Sequence, residues 1–234
     1  MLQKLFYNRK LVVTIFVVLI VGLGLFAVAP VVYSAVMGTG IRTEGLSADN
    51  AEPATTDVNG EWQVVEGQGS NATAVGFTFF EILPAERKNT SGTTHDVTGN
   101  ASVADGQLTA GEITVDMTNL ETDNQRRDVN VRRKILHTDE YPTSTFVVTE
   151  PADLSTLPED GTAGKVTLTG DLTIHGTPNE VTHEFDALRD GDQLVIAGDV
   201  PINRLDYGVE TPDFIAATID EMGELNIRVT LEKN

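Results

Sequence analysis

The sequence predicts an all-β domain, built as an antiparallel barrel or sandwich, behind one N-terminal membrane helix. Apolar residues alternate with polar or small ones along several segments, turn-forming residues separate these segments, and no long helical pattern interrupts them. Period-two alternation is what a strand with one dry face and one wet face requires. The pattern therefore indicates roughly seven or eight antiparallel strands.

The alternating apolar positions define the expected strands. They are Val75, Phe77 and Phe79; Ile113, Val115 and Met117; Val166, Leu168, Leu172 and Ile174; Val181, Phe185 and Ala187; and Leu225, Ile227, Val229 and Leu231. Turns are expected at Asp105-Gly106, Asp160-Gly161, Asp190-Gly191 and Met222-Gly223-Glu224. One short helix is expected near Arg126 to Leu136.

Alternation alone leaves the choice between sandwich and barrel open. An immunoglobulin-like sandwich often has a Cys–Trp–Cys core, whereas this chain has no cysteine. A closed barrel of about eight strands has room for packed side chains or for one ligand.

The N-terminal segment has the composition of a membrane span. Lys4, Arg9 and Lys10 precede an uncharged, mainly apolar run from Leu11 to Met37. At about 1.5 Å per residue this run exceeds the roughly 30 Å of a hydrocarbon core. A cleaved signal peptide is the alternative, but its apolar region is usually about 7–15 residues long. Ala27-x-Ala29 has the small-x-small spacing of a cleavage site, yet Pro30 would follow the cut directly.

The expected organisation follows from this span. Residues 1–10 form a cytoplasmic N-terminus, because positive charge marks the cytoplasmic side, and residues 11–37 form the transmembrane helix. Residues 38–59 are small and polar without apolar periodicity, which predicts a flexible linker, and residues 60–234 form the extracytoplasmic β domain.

The charge of the exported part excludes some partners. Thirteen basic and 35 acidic residues follow the span, a net charge of −22. Such a surface repels nucleic acid and anionic lipid headgroups, so binding of DNA or RNA is disfavoured.

Several motifs follow one another in a defined order. The first group is Leu120-x-Thr122-Asp123, then Arg127-Asp128, then Tyr141-Pro142 with Phe146. The strand Gly170-x-Leu172-Thr173-Ile174-His175-Gly176 follows, and Arg204 precedes Tyr207-Gly208. Together these motifs resemble those of the YceI family of lipocalin-like, polyisoprenoid-binding proteins, over about Trp62 to Glu232. Two features depart from the family: the membrane anchor, and Gly76-Phe77-Thr78-Phe79 where relatives often have a His-Ser motif before the phenylalanine.

The resemblance implies an antiparallel lipocalin-like β-barrel of about eight strands with a short helix near one mouth. Its elongated apolar cavity would hold a polyisoprenoid, an isoprenoid quinone or a similar amphiphile, with no other cofactor. The inward-facing candidates are Phe77, Phe79, Ile113, Val115, Met117, Phe146, Val148, Leu168, Leu172, Ile174, Phe185, Ile227 and Val229. The same residues would serve a barrel filled by its own side chains, so alternation alone does not establish a cavity.

Four polar residues are candidates for the barrel mouth: Arg127, Asp128, His175 and Arg204. They would either recognise a headgroup or form a local ion-pair and capping network, with Thr122 or Asp123 near the helix start. The second interpretation is favoured.

The four histidines do not form a metal-binding pattern. His95, His137, His175 and His183 lack the close spacing of a ligand pair, and no metal is predicted. Only His175 and His183 are expected to approach each other, across a hairpin whose turn is Gly176-Thr177-Pro178-Asn179.

These patterns predict a binding protein and no enzyme. The sequence contains no Gly-x-Ser-x-Gly elbow, P-loop or dinucleotide-binding glycine motif after a strand. The alternatives are an envelope interaction protein with a self-filled barrel and an accessory protein acting on isoprenoid quinones. A homodimer stays open.

Overall fold

The computed structural model describes residues 9–36, 38–82, 87–211 and 218–234. The predicted cytoplasmic residue Lys4 and the last residue of the predicted span, Met37, lie outside these ranges. Two α-helices are described, α1 (Arg9–Val36) and α2 (Gln125–Asn130), and α2 continues as the π-helical turn Val131–Ile135. Short 3-10 helices cover Gly69–Asn71 and Arg204–Tyr207. The strands are β1 (Gly60–Val65), β2 (Ala74–Ile82), β3 (Arg87–Thr94), β4 (Val97–Ala104), β5 (Gln107–Asp116), β6 (Thr143–Val148), β7 (Ala152–Asp153), β8 (Gly164–Ile174), β9 (Thr177–Asp190), β10 (Gln193–Asn203) and β11 (Thr218–Lys233).

Strand pairing closes a barrel and so decides against the sandwich. The closed circuit of antiparallel neighbours is β1-β4-β5-β6-β8-β9-β10-β11, with β1 bonded to both β4 and β11. The long strand β11 pairs with β10 along most of its length, with β2 through its first part and with β1 through its last. The β2–β3 hairpin therefore extends the wall beside β11, and the expected eight-stranded barrel is confirmed.

The two ends of the barrel differ. At one end, called the helix end, β5 stops at Asp116, α2 follows, and the β8–β9 turn and the end of β10 lie nearby. At the other end, called the turn end, tight turns follow β4 and β9, and β1 begins.

Two of the expected turns are wrong in place. Met222-Gly223-Glu224 lies inside β11, at an irregularity in its pairing with β2 between Ile219 and Gly223. Glycine suits this position because a Cβ on Gly223 would lie 2.4 Å from the Phe79 ring. The β8–β9 turn is His175-Gly176, since Ile174 pairs directly with Thr177. It therefore lies earlier in the chain than the expected turn Gly176-Thr177-Pro178-Asn179. Both of its residues have positive φ, 53° and 72°, as a two-residue hairpin turn requires.

Strand β10 was missed by the sequence reasoning because both of its faces are apolar. Leu194, Val200 and Ile202 are buried on the inner face, while Val195 and Ala197 are buried on the outer face. A strand that is buried on both faces has apolar residues at both odd and even positions, so its sequence shows no period-two pattern.

The covering element is residues 38–59, here called the strap, which differs from the expected flexible linker. Its backbone runs from β3, where Ser91 N donates to Thr39 O and Ile41 N to Ser91 O, to the turn end, where Thr55 N donates to Gly191 O. The strap is attached to the barrel by polar groups, so its sequence has no apolar periodicity from which this packing could be predicted.

A buried polar seam on the outside of β11 holds the strap. Arg228 donates to the carbonyls of Ala72, Glu44 and Gly45 at 2.8–3.3 Å. Thr43 shares a hydrogen bond of 2.7 Å with Thr93. At the edge of the seam, Arg42 forms ion pairs with Asp199 and Glu224. These contacts fix the strap along the barrel.

The β8–β9 turn is held by aromatic contacts. The His175 ring lies 4.2 Å from the Tyr141 ring centroid, and its Nε2 lies 3.4 Å from Nδ1 of His137. Burial, and next the neighbouring His137, lower the pKa of His175 below its ordinary value.

We expect Arg228→Met to loosen the strap. Three carbonyls would lose a charged donor, a loss of about 1.5–3 kcal/mol for hydrogen bonds of this kind. Hydrogen exchange at residues 43–47 should become faster, whereas Lys165→Met, at an exposed ion pair on β8, should leave it unchanged. Unaltered exchange in Arg228→Met would contradict the role of the seam.

We expect the pKa of His175, measured by NMR, to lie below about 6.5. His137→Asn should raise it part of the way, since burial is the larger cause and remains. As the pH falls, His175 is protonated in the unfolded state before it is protonated in the folded state. The free energy of unfolding should therefore decrease below about pH 6.5, the ordinary pKa of histidine, and stop decreasing below the folded-state pKa. Titration at or above the ordinary value would show that the ring is not enclosed by Tyr141 and His137.

Candidate functional site

A cavity of about 460 Å³ occupies the barrel. This volume lies within the range of about 300–1,000 Å³ that is typical of small-molecule sites. Inward-facing side chains of β2, β4, β5, β6, β8, β9, β10 and β11 form most of its wall. Alternation places them there, because successive side chains of a strand point to opposite faces.

All thirteen residues predicted for the apolar face line this cavity. They are Phe77, Phe79, Ile113, Val115, Met117, Phe146, Val148, Leu168, Leu172, Ile174, Phe185, Ile227 and Val229. Their side chains leave space between them, so the described barrel is not filled by its own residues.

Other lining residues were missed by the sequence reasoning. Strand β10 contributes Leu194, Ile196, Val200 and Ile202, whose spacing of two was a usable signal once the outer face is discounted. The segment after α2 contributes Val131, Ile135 and Leu136, which no strand pattern reports.

The cavity lining is graded from polar to apolar. Most of its polar residues come from the helix end and include Glu81, Thr90, Arg127, Asn130, Lys134, Ser144, Arg204 and Thr211. Toward the turn end the wall is formed by Val103, Leu108, Leu154, Leu194 and Leu231. The cavity therefore suits a molecule with one polar end and a long apolar body.

Thr90 is an unusual member of the polar group. It is 3% exposed and its hydroxyl has no hydrogen-bond partner among the described residues. A buried hydroxyl without a partner costs on the order of 1–3 kcal/mol. This atom is a candidate contact for a polar group of the ligand.

Two of the predicted mouth residues, Arg127 and Asp128, form a local network around the start of α2. Asp128 Oδ1 accepts from both the backbone N and the hydroxyl of Thr122, each at 2.7 Å. Arg127 donates to Asp123 at 2.6 Å and to the carbonyl of Gly38 at 2.9 Å. The N-cap is Asn124, not Thr122 or Asp123 as expected, and its side chain accepts from the backbone of the first helical turn.

Arg204 has a similar set of internal partners. It donates to the carbonyl oxygens of Val209, Ile219 and Asp220 at 2.7–3.3 Å, which joins the turn after β10 to the start of β11. Both Arg127 and Arg204 line the cavity, yet both guanidinium groups are bonded to protein oxygens.

The predicted approach of His175 to His183 does not occur. His183 lies six positions along β9 from Thr177, where the strand begins, which is roughly 20 Å of extended strand. His183 packs at 5.0 Å from the Phe185 ring, and His175 lies beside His137 instead. In the part of the chain that the structure describes, no three His, Asp or Glu side chains are placed to hold a metal ion.

Comparisons with known proteins agree with this geometry. A polyisoprenoid-binding domain from Saccharophagus degradans, implicated in plant cell wall breakdown, superposes with a TM-score of 0.58 at 15% identity, over 74% of this chain and 98% of that one. BcnA of Burkholderia cenocepacia superposes with a TM-score of 0.53 at 18% identity, over 68% of this chain and 94% of that one. Both likenesses concern the fold.

Sequence comparison identifies the family. A UPF0312 protein of Vibrio parahaemolyticus is 28% identical over 129 residues, which are 55% of this chain and 57% of that protein, so the match spans little more than half of the relative. The model of the YceI-like domain matches residues 53–231, which include the last part of the strap and the barrel up to Leu231 in β11. The chain belongs to the YceI-like domain family.

Proposed function

We propose that this protein is a membrane-anchored, extracytoplasmic binding or carrier protein for a polyisoprenoid or another long-chain amphiphilic lipid. The observation that carries the proposal is the cavity, whose lining is mainly apolar and has most of its polar residues at the helix end. An isoprenoid quinone fits the same description. The binding of a polyisoprenoid by the Saccharophagus degradans domain, which shares the fold, supports this ligand class.

The driving force would be transfer of hydrocarbon from water to the cavity wall. Each buried methylene group contributes about 0.8 kcal/mol, so affinity should increase with chain length until the barrel is full. A headgroup at the helix end would meet the polar lining and the unpartnered hydroxyl of Thr90, while the tail extends toward the turn end.

The membrane anchor is proposed from α1. Its stretch Arg9–Ala29 is long and apolar enough to cross a bilayer, and none of it is buried in the protein. Arg9 and Lys10 at its start favour a cytoplasmic N-terminus, which would place the barrel outside.

A binding role fits the cavity better than catalysis. Its wall is mainly aliphatic and aromatic, and the arginines that line it are bonded to the protein's own oxygens. The approach of His175 to His183 that the sequence predicts is not formed, since the two lie far apart. We therefore propose sequestration or transport without chemical change.

Mass spectrometry of organic extracts of the purified full-length protein should detect a long-chain amphiphile. Val181→Trp, on the inner face of β9, should reduce the bound lipid several-fold by filling the cavity. Thr182→Trp, exposed on the outer face beside it, is the matched control and should bind as the unmodified protein does. A barrel that neither retains nor takes up lipid would overturn the proposal.

Thr90→Val tests the position of the headgroup. The change keeps the shape but removes the hydroxyl, so binding of geranylgeraniol should weaken by roughly 2–10-fold, which corresponds to one net hydrogen bond. Binding of the matching hydrocarbon should not change, and Thr182→Val should affect neither probe. Equal loss for alcohol and hydrocarbon would show that Thr90 only packs.

A further inference from the structure

The anchor helix and the cavity mouth are joined with almost no slack. α1 ends at Val36, and two residues later the carbonyl of Gly38 accepts a hydrogen bond of 2.9 Å from Arg127. Two residues of extended chain span at most about 7 Å. Because Arg127 also lines the cavity, one side chain connects the cavity wall to the exit of the helix.

The chain after the helix is fitted closely to the barrel. Gly40 has a φ of +86°, and a Cβ there would lie 1.8 Å from the carbonyl oxygen of Ser91. The strap then continues along the seam on β11, where Arg228 holds Glu44 and Gly45. The barrel is therefore attached by its helix end, and its turn end points away from the point of attachment.

Residues 126–134, which include most of α2, carry a charge opposite to that of the whole domain. Of the thirteen basic residues after α1, five lie within nine positions: Arg126, Arg127, Arg132, Arg133 and Lys134. The one acidic residue among these nine positions, Asp128, is buried and bonded to Thr122.

Most of these basic side chains lie at the protein surface. Arg126, Arg133 and Lys134 are exposed, Arg132 is half-buried, and the apolar side chain of Val129 is 45% exposed among them. These five residues are called the basic patch. A cationic surface with an exposed apolar side chain fits an anionic bilayer, so the expectation that this domain repels anionic headgroups does not apply locally.

We propose that the basic patch docks the helix end of the barrel on the anionic surface of the membrane that α1 crosses, so that lipid passes directly between that bilayer and the cavity. The partner is the bilayer itself, and the ligand's apolar body would not cross water. This inference rests on the proposed function, since it requires both a lipid ligand and a spanning α1.

The docking step is tested with the full-length chain reconstituted in vesicles. The chain has no cysteine, so Val129→Cys in the basic patch and Asp192→Cys at the turn end each give one labelling site for an environment-sensitive fluorophore. The label at position 129 should report an apolar environment in vesicles with about 30 mol% phosphatidylglycerol, while the label at position 192 should report water. Salt at about 1 M, where the screening length is roughly 3 Å, should weaken the difference.

Charge variants assign the effect to the basic patch. Arg126→Gln with Arg133→Gln should lower the ratio of docked to undocked barrel roughly 25-fold, from the usual contribution of two juxtamembrane cations. The control, Lys165→Gln with Lys233→Gln, removes the same charge from β8 and β11 outside the patch and should preserve docking. Equal loss in both double variants would overturn the assignment.

The exchange step is measured with a fluorescent geranylgeraniol placed in the same vesicles. Loading of the barrel should slow in Arg126→Gln/Arg133→Gln and stay unchanged in the control, while the amount of probe bound in detergent is the same for all variants. Normal loading despite lost docking would overturn direct exchange. Absence of binding in detergent would instead overturn the proposed function, and binding in detergent with a water-exposed label at position 129 would overturn docking alone.

Discussion

The register of β11 is the constraint on which most of this structure depends. Its odd-numbered residues Leu225, Ile227, Val229 and Leu231 line the cavity, while its even-numbered residues Asn226, Arg228 and Thr230 are buried on the outside. Thr230 is bonded to Thr73 and to the carbonyl of Asn71, and Asn226 is bonded to Thr78 and Asp199. A slip of one residue would exchange the two faces and place an arginine inside the barrel. One strand thus contributes both apolar residues to the cavity lining and the arginine that holds the strap.

One polar residue on the outer face of β11, Arg228, donates two of its hydrogen bonds to the strap. Arg228 is 9% exposed, and burial lowers its pKa. The carbonyls of Glu44 and Gly45, with that of Ala72, are its partners. The strap is therefore part of the barrel's hydrogen-bonding system, and these bonds fix the chain that follows α1 to the barrel.

Alternation made the inner face predictable, and the features that escaped prediction have other physical origins. The thirteen predicted cavity residues lie where period two places them, because each strand that contributes them has polar residues on its other face. Strand β10 has apolar residues on both faces, since Val195 and Ala197 are buried on its outside, and its sequence therefore does not alternate. The strap itself is held by side chains such as Arg42 and Arg228, whose partners are distant in sequence. The turn at His175-Gly176 was misplaced because a histidine with positive φ is uncommon, and here the ring is held by Tyr141.

The central proposal, a lipid lying in the barrel with its polar end toward α2, is tested most directly by an electron-density map of the full-length protein purified from its own membrane. Continuous density along the barrel axis, tapering among Leu108, Leu154 and Leu194 and ending near Thr90, is the expected result. A cavity collapsed onto its own side chains, or filled with separate ordered waters, would contradict it.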